Sequence, residues 1–331
     1  MISINSTKLI RVGIVGYGNL GRGVETALSA QKDFETIAVF SRRDPSEVVT
    51  DGTPVLPFND LNLMSDEIDV LILCGGSRSD LPEQTPAFAE LFNVVDSYDN
   101  HAKIPEHFEV VDKAAISGNK VAIISTGWDP GLFSLNRMFG EAIVPVGETY
   151  TFWGKGLSQG HSDALRRVSG VKAGVQYTIP SEDAIAKIRA GDLPKLSTKE
   201  KHKRECFVVL DEGANPESVR QEIVSMPDYF EPYETKVIFI SEEDLEREHS
   251  GMPHGGFVIR AGETSPGVKQ IIEYRLALAS NPEFTASVLV AYARAAHRLA
   301  LRQDFGAKTV YDVAPGLLSP KSAAELRSGL L

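Results

Sequence analysis

A chain of 331 residues is too long for one small core and suits two domains of ordinary size. Hydrophobic residues at 42% and charged residues at 24% give the balance of a soluble globular protein, and no apolar run approaches the ~20 residues that cross a bilayer. The net charge of −11 excludes a general affinity for nucleic acid, which needs a basic face, but leaves room for a local basic pocket. Met1 to Arg11 carries no long apolar stretch of the signal-peptide kind. The two cysteines, Cys74 and Cys206, each lie inside an apolar segment, so reduced core thiols are expected ahead of a disulfide. Together these features point to the cytoplasm.

Arg11 to Val15 reads as a buried strand that ends in glycines and gives way to a helix over Leu20 to Gln31. Thr36 to Phe40 and Asp69 to Cys74 are the next strands, the latter stopping at Gly75-Gly76, with a helix after Glu83. Asn93 to Asp96 and Val121 to Ser125 follow as short strands around a helix at Ile104 to Ser117. Strands alternating with helices predict an α/β, Rossmann-type, doubly wound parallel sheet over residues 1–125. The pattern then changes. Thr149 to Phe152, Val175 to Ile179, Cys206 to Leu210, Thr235 to Ile240 and Gly256 to Arg260 have more period-two character. Between them lie helix starts at Ser181, at Asn215-Pro216 and at Ser241 with Asp244 in a capping box, and a helix stop at Gly191. Residues 126–281 are therefore expected to form a second, α+β domain for substrate binding and dimerisation, built on one mixed or antiparallel sheet. A last helix, Pro282 to Arg302, within the segment 282–331, is expected to pack back on the first domain.

Gly16-Tyr17-Gly18-Asn19-Leu20-Gly21 fits G-x-G-x-x-G after a strand and at the opening of a helix, the context that the motif requires. Gly16 permits the tight turn, Gly18 lets the backbone approach a pyrophosphate, and Gly21 lets helix and strand pack closely. An NAD site commonly places an acidic residue at the end of the second strand. Here that position is Ser41, followed by Arg42 and Arg43. A hydroxyl and two guanidiniums suit a 2′-phosphate, so the expected cofactor is NADP; a solvated basic turn is the alternative. Cys74-Gly75-Gly76-Ser77 should line the cofactor's path, or serve as an ordinary strand-to-helix turn.

Further blocks accompany the fingerprint: Tyr98-Asp99-Asn100-His101, Ser125-Thr126-Gly127-Trp128-Asp129-Pro130-Gly131, Phe152-Trp153-Gly154, Gly156 through Arg167, His202-Lys203-Arg204, Met226 through Phe230, Gly251 through Gly256, and Asn281-Pro282. In this order and number they resemble the meso-diaminopimelate dehydrogenases. The resemblance implies NADP-dependent oxidative deamination of the D-centre of meso-diaminopimelate, with release of ammonia, by a homodimer. It implies that Asp99 and Asp129 hold the reacting amine and act as the catalytic pair, and that Trp128 and Trp153 wall the pocket. Gln159 and Gly160, read as part of a glycine-rich loop, are implied for the D-side carboxylate. Thr178, Arg204, His254 and Asn281 are implied for the distal carboxylate.

Plainer roles stand beside each of these. Asp129 before Pro130 suits a turn, Asp99 an Asx turn, and Asn281 before Pro282 a helix cap. Arg204 could be an exposed member of the Lys199–Arg204 charge run, and either tryptophan could be plain core. No cluster has metal-ligand spacing, so no metal is expected. Two rival functions remain open at this level: a related reductase of the dihydrodipicolinate or saccharopine type, and a non-catalytic NADP sensor.

Overall fold

The computed structural model describes residues 9–227 and 229–331. In chain order its strands and helices are β1 (Ile10–Val15), α1 (Asn19–Ser29), β2 (Phe34–Ser41), β3 (Val55–Pro57), β4 (Val70–Leu73), α2 (Leu81–Ala89), β5 (Asn93–Asp96), α3 (Ile104–Gly118), β6 (Val121–Ile123) and α4 (Leu132–Ile143). There follow β7 (Val146–Trp153), β8 (Gly156–Leu157), α5 (Gln159–Leu165), β9 (Val171–Pro180), α6 (Glu182–Arg189), α7 (Thr198–Lys201), β10 (His202–Leu210), α8 (Pro216–Val224), β11 (Glu234–Phe239) and α9 (Glu242–His249). Last come β12 (His254–Ser265), β13 (Val268–Leu278), α10 (Asn281–Leu301), β14 (Gly306–Lys308) and α11 (Ala323–Leu330). The chain divides into two compact units, Met1–Leu135 with Pro282–Leu331, and Asn136–Asn281. The division falls inside α4, about a turn past the start of that helix and so beyond the boundary expected at residue 125, because Leu132 and Leu135 pack against the first unit's core.

In the first unit, among the described residues, seven strands form one parallel sheet in the order β14-β6-β5-β4-β1-β2-β3. The strand order reverses between β1 and β4, which makes the carboxyl ends of these two strands the place where a doubly wound sheet opens a crevice. Strands such as Val70–Leu73 are buried along their whole length, as a sheet covered on both faces requires. One face carries α1 and α10, whose Val24, Leu28, Leu289 and Ala293 join Val12, Ile14 and Ile72. The other carries α2 and α3 over Leu71, Leu73, Val94 and Ala122. The helix α10 is bound to this unit by charge as well: Arg294, 2% exposed, donates to Asp33, to Gln31 and to the Leu318 carbonyl.

In the second unit, among the described residues, there are two sheets where one was expected. A four-stranded sheet, β11-β10-β9-β8, is mixed because α8 carries β10 across to a parallel partner, β11. A three-stranded sheet, β13-β12-β7, is antiparallel throughout. The strand β13 has no counterpart among those expected from the sequence. Most of its residues are exposed or half-buried, so its apolar positions do not stand out, although Pro266-Gly267 marks the turn before it. The cap at Ser241 is also simpler than expected. Its hydroxyl accepts from the Asp244 N–H, and the Asp244 carboxylate takes that same hydroxyl rather than the cap's backbone N–H.

Candidate functional site

The fingerprint turn leaves the end of β1. Gly16 sits at φ +88°, a left-handed backbone that favours glycine. A Cβ on Gly21 would lie 2.2 Å from the Gly16 carbonyl oxygen, whereas one on Gly18 would meet nothing within 4 Å. The space over Gly18 is therefore open, and α1 starts there with no side-chain cap and no acidic residue in its first turn. A helix start of this kind suits an anion. Leu20 packs into the core, Asn19 accepts from Arg22, and the Tyr17 hydroxyl donates to Glu25. These three residues offer the turn backbone rather than side chains.

Ser41 is buried at the end of β2, where its hydroxyl accepts from the Arg43 N–H at 3.0 Å. The Arg43 guanidinium donates to the Tyr17 carbonyl at 2.6 Å, tying the basic turn to the fingerprint. Arg42 is 67% exposed and pairs with Asp80 at 2.9 Å. Asp80 in turn accepts from the Gly76 N–H, and that bond, with the nearby Arg42, holds its carboxyl below the usual range. The turn after β4 continues the rim. Cys74 takes its N–H to the Val15 carbonyl, and the Ser77 hydroxyl accepts from the Asp99 N–H at 3.1 Å. Both cysteines are free thiols, Cys206 buried and Cys74 half-buried.

Asp99 is exposed beyond β5, and Asp129 is half-buried beyond β6. Trp128 is buried, with its ring edge-to-face with Phe133 at 5.2 Å. Asp96, which no motif in the sequence singles out, lies beneath both loops with 0% exposure. One of its carboxylate oxygens accepts from the Tyr98 N–H at 3.0 Å and the Ser125 N–H at 2.8 Å. The other meets the Thr85 hydroxyl at 2.8 Å and His107 Nε2 at 2.9 Å. An acidic residue closing the apolar run Asn93–Asp96 was the available signal, since a buried charge needs partners.

In the second unit, Arg204 lies in β10 opposite Thr178 of β9. It is 6% exposed, so it is not part of an exposed charge run. Its guanidinium donates to the Thr178 hydroxyl and stacks 3.9 Å from the Tyr233 ring centre. Burial lowers its pKa, and among the described residues no carboxylate pairs with it within salt-bridge distance. Thr178 also pairs with Gly156. His254 packs so closely on Gly156 that a Cβ there would stand 2.5 Å from the imidazole. Asn281 opens α10, and its N–H reaches the Met252 carbonyl at 3.0 Å. Strand register thus sets Thr178 between Arg204 and Gly156, and His254, from the three-stranded sheet, packs on Gly156, with Asn281 bonded to the segment just before His254.

Trp153, 39% exposed, stacks on His202, whose Nε2 accepts the Trp153 N–H at 2.9 Å. Gln159 and Gly160 belong to the first turn of α5 and not to a glycine-rich loop. Ser158 precedes this turn and accepts the Ser162 N–H, which lets the chain coil at once despite Gly160. The Gln159 side chain lies outside the described residues, as does Asp228 of the Met226–Phe230 block. His161 Nδ1 bonds the Ser158 hydroxyl at 2.9 Å. Burial, reinforced by the positive charge of Arg204, depresses both His161 and His202 to about 4.

Comparison with known proteins places this geometry. Residues 127–280 match the family model for the diaminopimelic acid dehydrogenase C-terminal domain. A meso-diaminopimelate D-dehydrogenase of Ureibacillus thermosphaericus is 62% identical over 323 residues, covering 97% of this chain and 99% of the relative. The chain belongs to the diaminopimelate dehydrogenase family. A solved Corynebacterium glutamicum member, in complex with DAP, superposes with a TM-score of 0.90 at 49% identity, covering 98% of this chain and 100% of that one. An engineered D-amino acid dehydrogenase bound to NADP+ superposes with a TM-score of 0.86 at 48% identity and the same coverage. In contrast, a saccharopine dehydrogenase from Saccharomyces cerevisiae shares the fold alone, at 14% identity and a TM-score of 0.50.

Two predictions follow from this geometry. Gly21→Ala forces a Cβ against backbone and should cost about 1–3 kcal/mol in urea unfolding. Gly18→Ala should cost less than about 1 kcal/mol yet weaken NADP at least tenfold in a fluorescence titration; equal stability losses for the two variants would contradict the open turn. The second concerns pH. Unfolded imidazoles titrate near 6.5, and His161 and His202 do so at about 4, so the unfolded chain takes up protons first as pH falls. The stability from keeping them neutral is complete above about 6.5 and lost as pH falls toward about 4, up to about 3 kcal/mol for each. The urea midpoint of His202→Gln should therefore fall less steeply than that of the parent across this window.

Proposed function

We infer that the protein catalyses reversible, NADP-dependent oxidative deamination of the D-centre of meso-diaminopimelate, giving L-2-amino-6-oxopimelate and ammonia. The single observation that carries the substrate assignment is Arg204: a buried guanidinium without a carboxylate partner among the described residues, supported by Thr178 and stacked on Tyr233. A cation desolvated in this way is strongly favoured by a bidentate anion, which the distal carboxylate of the substrate supplies. Thr178, His254 and Asn281 complete that end.

The first unit's turn fits the dinucleotide. The open space over Gly18 and the uncapped start of α1 suit a pyrophosphate, with Tyr17, Asn19 and Leu20 contributing backbone. Ser41, Arg42 and Arg43 suit a 2′-phosphate, Arg42 exchanging its exposed pair with Asp80 for the phosphate. Cys74 to Ser77 line the neighbouring strand end. When bound, NADP accepts a hydride from the D-centre.

Asp99 and Asp129 hold the amine at that centre, and Gln159 and Gly160 offer N–H groups to its carboxylate. Trp128 and Trp153 exclude water from the pocket, which strengthens the charge interactions. A hydride leaves only from a neutral amine, so the ammonium first gives a proton to one of the two aspartates or to water. The imine formed by hydride loss then adds water and releases ammonia, leaving the ketone.

The chain is further inferred to act as a homodimer. In the three-stranded sheet β13 is an edge strand, and Val268 and Ile271 on it are 47% and 40% exposed, an edge that a second copy would cover. Light scattering should give twice the 36.0 kDa of one chain; a monomeric mass at micromolar concentration would overturn this. For the reaction, absorbance at the reduced-nicotinamide band is followed with NADP or NAD and each of the three diaminopimelate stereoisomers. Growth is expected with NADP and the meso isomer, with ammonia released. Silence with all three despite tight NADP binding would reject the assignment.

A further inference from the structure

We propose that Asp96 is a positioning residue for the reaction, setting the two amine-binding aspartates relative to each other through the backbone. It rests on the functional reading above, since it concerns how Asp99 and Asp129 are held. Its carboxylate is fully buried and is shared between two loops. One oxygen takes the N–H of Tyr98, the residue before Asp99, and the N–H of Ser125, four residues before Asp129. The Asp96 carbonyl adds two bonds to the second loop, from the Thr126 N–H at 3.0 Å and the Thr126 hydroxyl at 2.6 Å. Strands β5 and β6 pair only through Val94, Val95, Ala122 and Ile123. Past these residues the sheet ladder has ended, and the Asp96 bonds are what continue the alignment of the two chain segments.

The other oxygen prevents the carboxylate from turning. Thr85 of α2 and His107 of α3 hold it at 2.8 and 2.9 Å, and His107 is itself stacked on the Tyr98 ring at 4.1 Å. Two helices and two strand ends therefore converge on one side chain that has no route to solvent. Ser125, at φ +55°, adopts a left-handed backbone that a serine rarely takes unaided, and its N–H is the group Asp96 binds. A shift of this anchor displaces both aspartates together, and misplacement on the scale of 1 Å costs about a hundredfold in rate.

The acceptor geometry, rather than the negative charge, is what the two N–H groups need. Asp96→Asn can keep its amide oxygen on Tyr98 and Ser125 and turn its NH2 toward Thr85 and His107, both of which can accept. Asp96→Ala cannot replace either bond. Expected for Asp96→Asn is a kcat within about fivefold of the parent; for Asp96→Ala, a kcat about a hundredfold lower. In the alanine variant the primary isotope effect should rise with substrate deuterated at the D-centre carbon, and the NADP dissociation constant should stay within about twofold. Should Asp96→Ala fail to fold, Thr85→Val, which removes one strut, is measured in its place and should lower kcat about tenfold with the same rise in isotope effect. Unchanged kcat and isotope effect in the folded variant, or NADP affinity falling in step with kcat, would overturn the proposal. An active parent enzyme with an indifferent variant refutes the positioning role alone, whereas an inert parent refutes the underlying function.

Discussion

The alignment of the strand ends in the first unit depends on a carboxylate placed where a parallel sheet runs out of its own hydrogen bonds. Parallel strands can bring five or six chain ends to one edge, but beyond the last ladder bond each loop is free to go its own way. Asp96 closes that gap between β5 and β6, as Ser77 does between the β4 turn and Asp99, and as Asp80 does between the β4 turn and the basic turn after β2. These are short polar links between segments that are neighbours in the sheet and far apart in sequence. They turn an edge of separate loops into a continuous rim running from Arg42 to Asp129.

The second unit solves a different problem. It has to keep a guanidinium and two imidazoles out of water and in defined states. Arg204 is kept charged by delocalisation, by Thr178 and by the face of Tyr233, and an arginine tolerates burial of this kind better than any other cation. His161 and His202 answer the same desolvation by staying neutral, and His202 uses its lone pair to accept the Trp153 N–H. A neutral histidine beside a buried arginine adds no repulsion. The positive charge of Arg204 is then left for an anionic group to meet.

Much of this was legible in the sequence because it is local. The fingerprint Gly16 to Gly21, the missing acid at Ser41 and the strand-helix alternation each depend on residues within one turn or one strand, where spacing and chemistry are enough. The family blocks located Asp99, Asp129, Arg204 and His254 by resemblance, which carries roles without geometry. Other features were not legible. Gln159 and Gly160 looked like loop because glycine weakens a helix locally, yet the Ser158 carbonyl starts one. The strand β13 was hidden by its exposure, since alternation shows only where one face is buried. The second unit's two sheets could not be told from one, because pairing partners are not written in the pattern of either strand.

What the sequence alone determined is the set of chemical groups and the backbone permissions. Glycines form the turn after the first strand, two arginines follow the second strand, and carboxylates follow two later ones. What only the tertiary structure decided is burial and partnership. Arg204 becomes a desolvated cation rather than a surface charge, and Asp96 becomes the anchor of two loops rather than a strand terminus. The physical reason is that both properties arise from residues tens of positions away. Desolvation is produced by whatever packs overhead, and a hydrogen bond between Asp96 and Ser125 exists only once β6 has been laid beside β5.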